Sequence, residues 1–140
     1  MSKKSGHIAE LIASCQGREL DAHYLGYFEC FNRQLFYEAH DVLEELWLTQ
    51  RHGPNDGFYK GLIQFAGAFV HLQKNRLGPA AALLRLSRKY LSGYPATHER
   101  LKISMLLGYI DDWLKKLASD GGTNPLQKNA PPVLEILNTV

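Results

Sequence analysis

The sequence predicts an all-α fold: a single compact bundle of about five helices with an extended C-terminal tail. Two observations carry that expectation. Apolar residues recur at spacings of three and four through most of the chain, and no run alternates apolar with polar residues between hairpin turns. Breakers then divide the periodic segments, notably Gly53 with Pro54, Gly78 with Pro79, Pro95, and Gly121 with Gly122.

The first helix is expected from about Glu19 to Asn32, where Leu20, His23, Tyr24, Tyr27, Phe28 and Phe31 make a partly aromatic face. Residues 8 to 15 have the pattern of a short helical turn before it. The second helix opens in Leu35 to Leu48, LFYEAHDVLEELWL, and is expected to end near His52 because Gly53 and Pro54 follow. Phe36, Ala39, Leu43, Leu46 and Trp47 form its stripe, which His40 interrupts and Glu44 flanks one turn on.

The third helix, Asp56 to Asn75, is apolar around most of its circumference and so belongs at the centre of a bundle. Gly57, Gly61 and Gly67 lower its helix propensity, which is reasonable if small residues let a neighbouring helix approach closely. Gly78 and Pro79 begin the fourth helix, which runs to about Leu91 with Leu83, Leu86 and Tyr90 toward the core, Leu84 close by, and Arg85, Arg88 and Lys89 facing away. The fifth is expected after Pro95, capped by Thr97, and continues to about Ala118 on a stripe of Ile103, Leu106, Leu107, Ile110, Trp113, Leu114 and Leu117. Asn124 to Val140, with Pro125, Pro131 and Pro132, reads as the extended tail, part of which lies on the bundle through Val133, Leu134, Ile136 and Leu137.

A chain of 140 residues fits one domain, 1–140, with room for a real core. The balance of 16 Lys+Arg against 14 Asp+Glu gives a net charge of +2, too small a field to support binding to nucleic acid or an anionic membrane. No stretch approaches the ~20 apolar residues of a membrane span. Cys15 and Cys30 lie in helical segments outside any zinc or redox spacing, so both read as reduced thiols and the protein as soluble and cytoplasmic.

Polar chemistry concentrates in two places. His40 and Glu44, four apart, share one helical face beside Trp47. Gln64 and His71, seven apart on the central helix, share another, with Gly67 between them leaving room. If the two faces meet, His40, Glu44, Gln64 and His71 converge in one partly buried pocket. Three readings stay open for this set: a satisfied structural network, a site for a small ligand or divalent metal held by His40, Glu44 and His71, and a catalytic pair with Glu44 or His71 as general base. The spacing argues little for metal, because there is no His-Glu-x-x-His and neither histidine has a glutamate three residues before it.

Other groups read as ordinary. Glu38, Asp41 and Glu45 form an acidic stripe expected to be solvated. Lys74, Arg76, Arg85, Arg88 and Lys89 make a modest basic cluster without a glycine-rich phosphate loop. His7, His23, His52 and His98 fall at helix edges or loops, and Tyr24, Tyr27, Phe28 and Phe31 read as core or as a homodimer contact. No Ser or Cys sits in a nucleophile elbow.

The strings FNRQLFYEAHDVLEELW, FYKGLIQFAGAFVHLQKN and GPAAALLRLSRKYL together resemble the helical family catalogued as domain of unknown function 309, over about residues 25–92. Phe31, Asn32, Glu38, Ala39, His40, Leu43, Glu44, Trp47, Gly61, Leu62, Ile63, Gln64 and His71 match its pattern, while Asp41 stands where that family usually has glutamate. The resemblance implies a small all-helical bundle and no established activity. It adds Glu38 and Asn32 to the polar set, although Asn32 would equally serve to cap the second helix. The expected function is therefore a ligand-binding or interaction domain with a His/Glu/Gln cluster between its central helices. The alternative is a metal-assisted hydrolase with His40, Glu44 and His71 as ligands and Glu38 or Gln64 positioning water.

Overall fold

The computed structural model describes residues 9–10, 12–13, 20–119 and 121–137. Five α-helices run through residues 22–119: α1 Ala22–Asn32, α2 Phe36–Thr49, α3 Asp56–Gln73, α4 Leu77–Leu91 and α5 Ile103–Ser119. The all-α expectation holds. Residues 9, 10, 12 and 13 are helical, and the rest of the expected turn at 8–15 lies outside the described residues. So does Glu19, where the periodicity starts the first helix; among the described residues α1 begins at Ala22, where the Asp21 carboxylate accepts the His23 N–H at 2.7 Å and caps it.

Each helix packs chiefly on its neighbours in the chain, and α3 lies at the centre. It runs parallel to α1, since Tyr24 meets Phe58, Tyr27 bonds to Leu62, and Phe31 stacks on Phe65 at 5.3 Å. It runs antiparallel to α2, where Phe36 meets Phe69 and Trp47 meets Asp56. Phe31, Phe36, Phe65, Phe69 and Trp113 form a chain of aromatic contacts that joins four helices in the core.

The glycines of α3 do what their cost in propensity implied, most sharply at Gly61. A Cβ there would stand 2.6 Å from Leu91 Cγ, so α4 approaches as closely as it does only because that atom is missing. This close approach also corrects the expected core face of α4. Its buried stripe is Ala80, Leu84, Ser87 and Leu91, with small side chains at two positions, whereas Leu86 is exposed and Leu83 and Tyr90 are half-buried. Ser87 is a good interior residue here because its hydroxyl donates to the Gly61 carbonyl at 2.7 Å.

The helices stop mostly as their breakers predict. Asn75, at φ 57°, closes α3 with the Arg76 N–H bonded to the His71 carbonyl at 2.8 Å, so the helix proper ends at Gln73. α2 ends at Thr49, ahead of His52, which itself adopts φ 68°.

The expectation that Thr97 caps the last helix fails. Thr97–His98 and Leu101–Lys102 pair as a two-residue antiparallel hairpin, and α5 starts only at Ile103. Its turn residues, Glu99 and Arg100, have φ of 48° and 59°, as a tight hairpin with the right twist demands, but neither is the glycine or asparagine that usually signals one. Tertiary bonds hold the strained pair: Tyr24 donates its hydroxyl to the Glu99 carbonyl, and the Leu137 N–H donates to the Arg100 carbonyl, both at 2.8 Å.

The segment after α5 docks on the bundle of its own chain. Asn124 donates to the Leu72 carbonyl at 2.6 Å and caps a 3-10 turn, Pro125–Gln127. Further on, Leu134 is buried and Ile136 bridges to Leu101, while Val133 faces solvent. Asn32 does not cap α2. Its amide grips the backbone of Leu134 at both groups, donating to the carbonyl at 2.7 Å and accepting the N–H at 2.8 Å.

Candidate functional site

Of the residues singled out by periodicity, three come together. His40 projects from α2 with Tyr37 one turn before it. Gln64 and His71 project from α3, as their spacing of seven requires. These four, with Ile63, Gly67 and Val70 of α3 and Leu83 of α4, line an open groove of about 200 Å³.

Within the groove His40 Nδ1, Gln64 Oε1 and His71 Nδ1 are buried and have no hydrogen-bond partner. Among the described residues no other buried side-chain nitrogen or oxygen is in that state. An unpaired buried polar atom costs about 1–3 kcal/mol, so three of them on residues that line one groove is an unusual concentration of unspent hydrogen-bonding capacity. The Tyr37 ring lies over His40, centroids 6.2 Å apart and 20° from parallel, and is 51% exposed at the rim. Ile63, Val70 and Leu83 supply apolar walls. Gly67 gives less room than its spacing suggested, because Leu83 reaches over it; a Cβ at position 67 would stand 3.1 Å from Leu83 Cδ1.

Burial lowers the pKa of His71 from its ordinary 6.5, and the positive charges of Arg76 and Lys74 lower it further. The ring is thus biased toward its neutral form, in which one nitrogen donates and the other accepts.

Glu44, Glu38 and Trp47 do not line the groove. Trp47 belongs to the opposite end of the α2–α3 contact, where its indole N–H donates to Asp56 Oδ1 at 2.5 Å and holds that carboxyl below the usual range. Lys60 lies between the Trp47 and Tyr90 rings, 5.7 and 5.2 Å from their centroids. Among the described residues no three His, Cys, Asp or Glu side chains stand together in a way that could hold a metal ion, so His40, Glu44 and His71 are not assembled as a ligand set.

The remaining candidates fall mainly into structural roles. Asp41, expected on a solvated acidic stripe, is buried, and only Glu38 and Glu45 keep part of their surface in water. Arg88 is taken up by a two-pronged contact to Asp111 across α4 and α5, at 2.7 and 3.3 Å. His23 lies between Asp21 and Glu45, and His98 bonds to Asn55 at 2.7 Å. Tyr24, Tyr27, Phe28 and Phe31 are buried in the chain's own core, which removes them as a dimer contact. His7 and Cys15 lie outside the described residues, and Cys30 is buried.

Tyr37 and Leu83 were missed as site residues. Tyr37 is three positions before His40 and so was accessible from spacing alone, whereas Leu83 depends on how closely α4 rides over Gly67, which spacing within α4 does not encode.

The fold and groove define a class of small helical bundle that carries an open, half-apolar cleft beside its central helix. The chain belongs to the family described as domain of unknown function, DUF309, whose sequence profile matches residues 24–93, from the first aromatic turn of α1 to just past α4. All the groove residues fall within that span. No curated protein and no solved structure matches the chain. Among the described residues no helix is long and apolar enough to cross a membrane.

Proposed function

We propose that the protein is a non-catalytic binding module whose α2–α3 groove takes a small molecule, with His40, Gln64 and His71 as its polar contacts. One observation carries this reading: the unpartnered buried side-chain atoms found among the described residues all belong to residues lining one groove. A structural network would have paired them with one another, since mutual bonding is what makes buried polar groups tolerable. A ligand with both donors and acceptors restores those bonds when it enters. The volume of about 200 Å³ is below the ~300–1,000 Å³ of sites for drug-sized molecules, which limits the occupant to a small metabolite or a fragment of one.

Metal-assisted hydrolysis has less to recommend it, because Glu44 is turned out of the groove and the remaining pair of histidines falls short of the three protein ligands that catalytic zinc sites use. The test is ligand-observed NMR of the full chain against a panel of small aromatic and aliphatic acids, amides and amines. Binding by the native protein that is lost in a Gln64→Leu, His71→Leu double variant of undiminished thermal stability supports the reading. Equal signals from the native protein and the variant, or none from either, would overturn it.

A further inference from the structure

Resting on that reading of the groove, we infer that its ligand is a small organic acid, with the carboxylate toward His40, Gln64 and His71 and an apolar body against Ile63, Val70 and Leu83.

The polar end of the groove carries two imidazoles and an amide. An imidazole can carry a proton on Nδ1 and donate it, and both Nδ1 atoms here lack any competing partner. Gln64 presents an acceptor as it stands and two donors after a half-turn of its amide, a rearrangement that costs no hydrogen bond at its unpaired Oε1. These atoms are closed to solvent in the empty groove, so turning the two rings and the amide toward an occupant brings up to three donors to it, which suits a carboxylate, whose two oxygens accept several bonds at once.

Charge points the same way. Lys74 and Arg76 follow His71 at the end of α3 and are exposed, and among the described residues neither is in an ion pair. Both act on His71, whereas no carboxylate appears among the groups that shift it. On the α2 side the groove is lined by Tyr37 and His40, and on the α4 side by Leu83, none of them acidic. Glu38 and Glu44 of α2 do not reach the lining. An anion entering here meets positive potential and no fixed negative charge at the contact surface. The rest of the lining decides against a bare inorganic anion, because Ile63, Val70 and Leu83 would then lose water without gaining an apolar partner.

The closing experiment compares sodium benzoate with benzamide, a neutral molecule of nearly the same shape, by titrating each into the full chain at constant ionic strength. Histidine ring resonances and the Gln64 side-chain amide are followed by NMR. Benzoate is expected to shift His40, Gln64 and His71 and to bind at least about fivefold more tightly than benzamide. Replacing the two charges that act on His71 from outside the groove lining, with Lys74→Gln and Arg76→Gln at exposed positions, should bring the two affinities together while leaving the benzamide affinity unchanged. Equal binding of both probes to the native protein overturns the acid assignment and leaves the groove reading standing. Inorganic phosphate competing as well as benzoate removes the apolar body from the proposal. Failure of every probe to shift the three groove residues defeats both the assignment and the reading it rests on.

Discussion

The two flanks of α3 handle buried polarity in opposite ways. Toward α1, α4 and the segment after α5, three polar side chains that enter the core find backbone carbonyls: Tyr27 donates to Leu62, Ser87 to Gly61 and Asn124 to Leu72, at 2.6–2.7 Å. Toward α2, the half-buried His40, Gln64 and His71 each have a side-chain atom closed to solvent and left unpaired. The same helix therefore shows what polar groups look like when they serve the fold and when they do not. A bond to an already bonded helical carbonyl adds specificity without demanding anything of that carbonyl, whereas an orphaned imidazole destabilises the free protein and repays that cost only on binding.

The contrast can be tested from its largest expected effect downward. Gly61→Val places branched carbon where even a Cβ would be 2.6 Å from Leu91, so overpacking should cost about 2–3 kcal/mol, read as a lower urea midpoint at unchanged slope. The companion change on the open flank, Gly67→Ala, meets only the tip of a half-buried Leu83. It should change stability by less than about 1 kcal/mol in the favourable direction, because alanine is the better helix former. If both glycines proved equally intolerant, the groove flank would be as tightly packed as the other.

Polar substitutions should differ in sign. Ser87→Ala removes a satisfied bond and is expected to cost about 1 kcal/mol in the same denaturation assay. Gln64→Leu removes an unsatisfied acceptor and should stabilise the free protein by up to about 1 kcal/mol. A clear loss in the second variant would mean that Gln64 supports the fold and would erase the distinction between the flanks.

The smallest effect is a pH dependence. His71 titrates below its ordinary 6.5 in the fold, so as pH falls the unfolded chain binds the proton first. Its contribution to stability is complete above 6.5 and is lost as pH falls through the folded value. Between pH 7.5 and 5 the native protein should lose more stability than His71→Leu, measured by urea unfolding at each pH.

Helical content, element order and the central position of α3 were legible in the sequence because each depends on local periodicity and on breakers. Three of the six polar residues singled out do line one groove, since spacings of three, four and seven fix which side chains share a helical face. What was not legible depended on contacts from elsewhere. Glu99 and Arg100 carry no hairpin signature, and their conformation is held from outside by Tyr24 and Leu137. The α4 core face turns on Ser87, a residue that hydropathy places outside and a single bond to Gly61 brings in. Glu44 shared a face with His40 by spacing, but a helical face is broader than a groove, and only one of the pair reaches the lining.

The grip of Asn32 on Leu134 joins positions 102 residues apart. Most other helix contacts link neighbours in the chain and can form while a short stretch is available. This clasp has to wait until more than a hundred further residues have left the ribosome, and closing so long a loop carries one of the larger entropic costs in the molecule. It should therefore close after the folding barrier is crossed: Asn32→Ala is expected to speed unfolding in stopped-flow measurements and leave the folding rate nearly unchanged. On that account the segment is a latch rather than a nucleus, and it governs how long the assembled helices stay together more than how quickly they assemble.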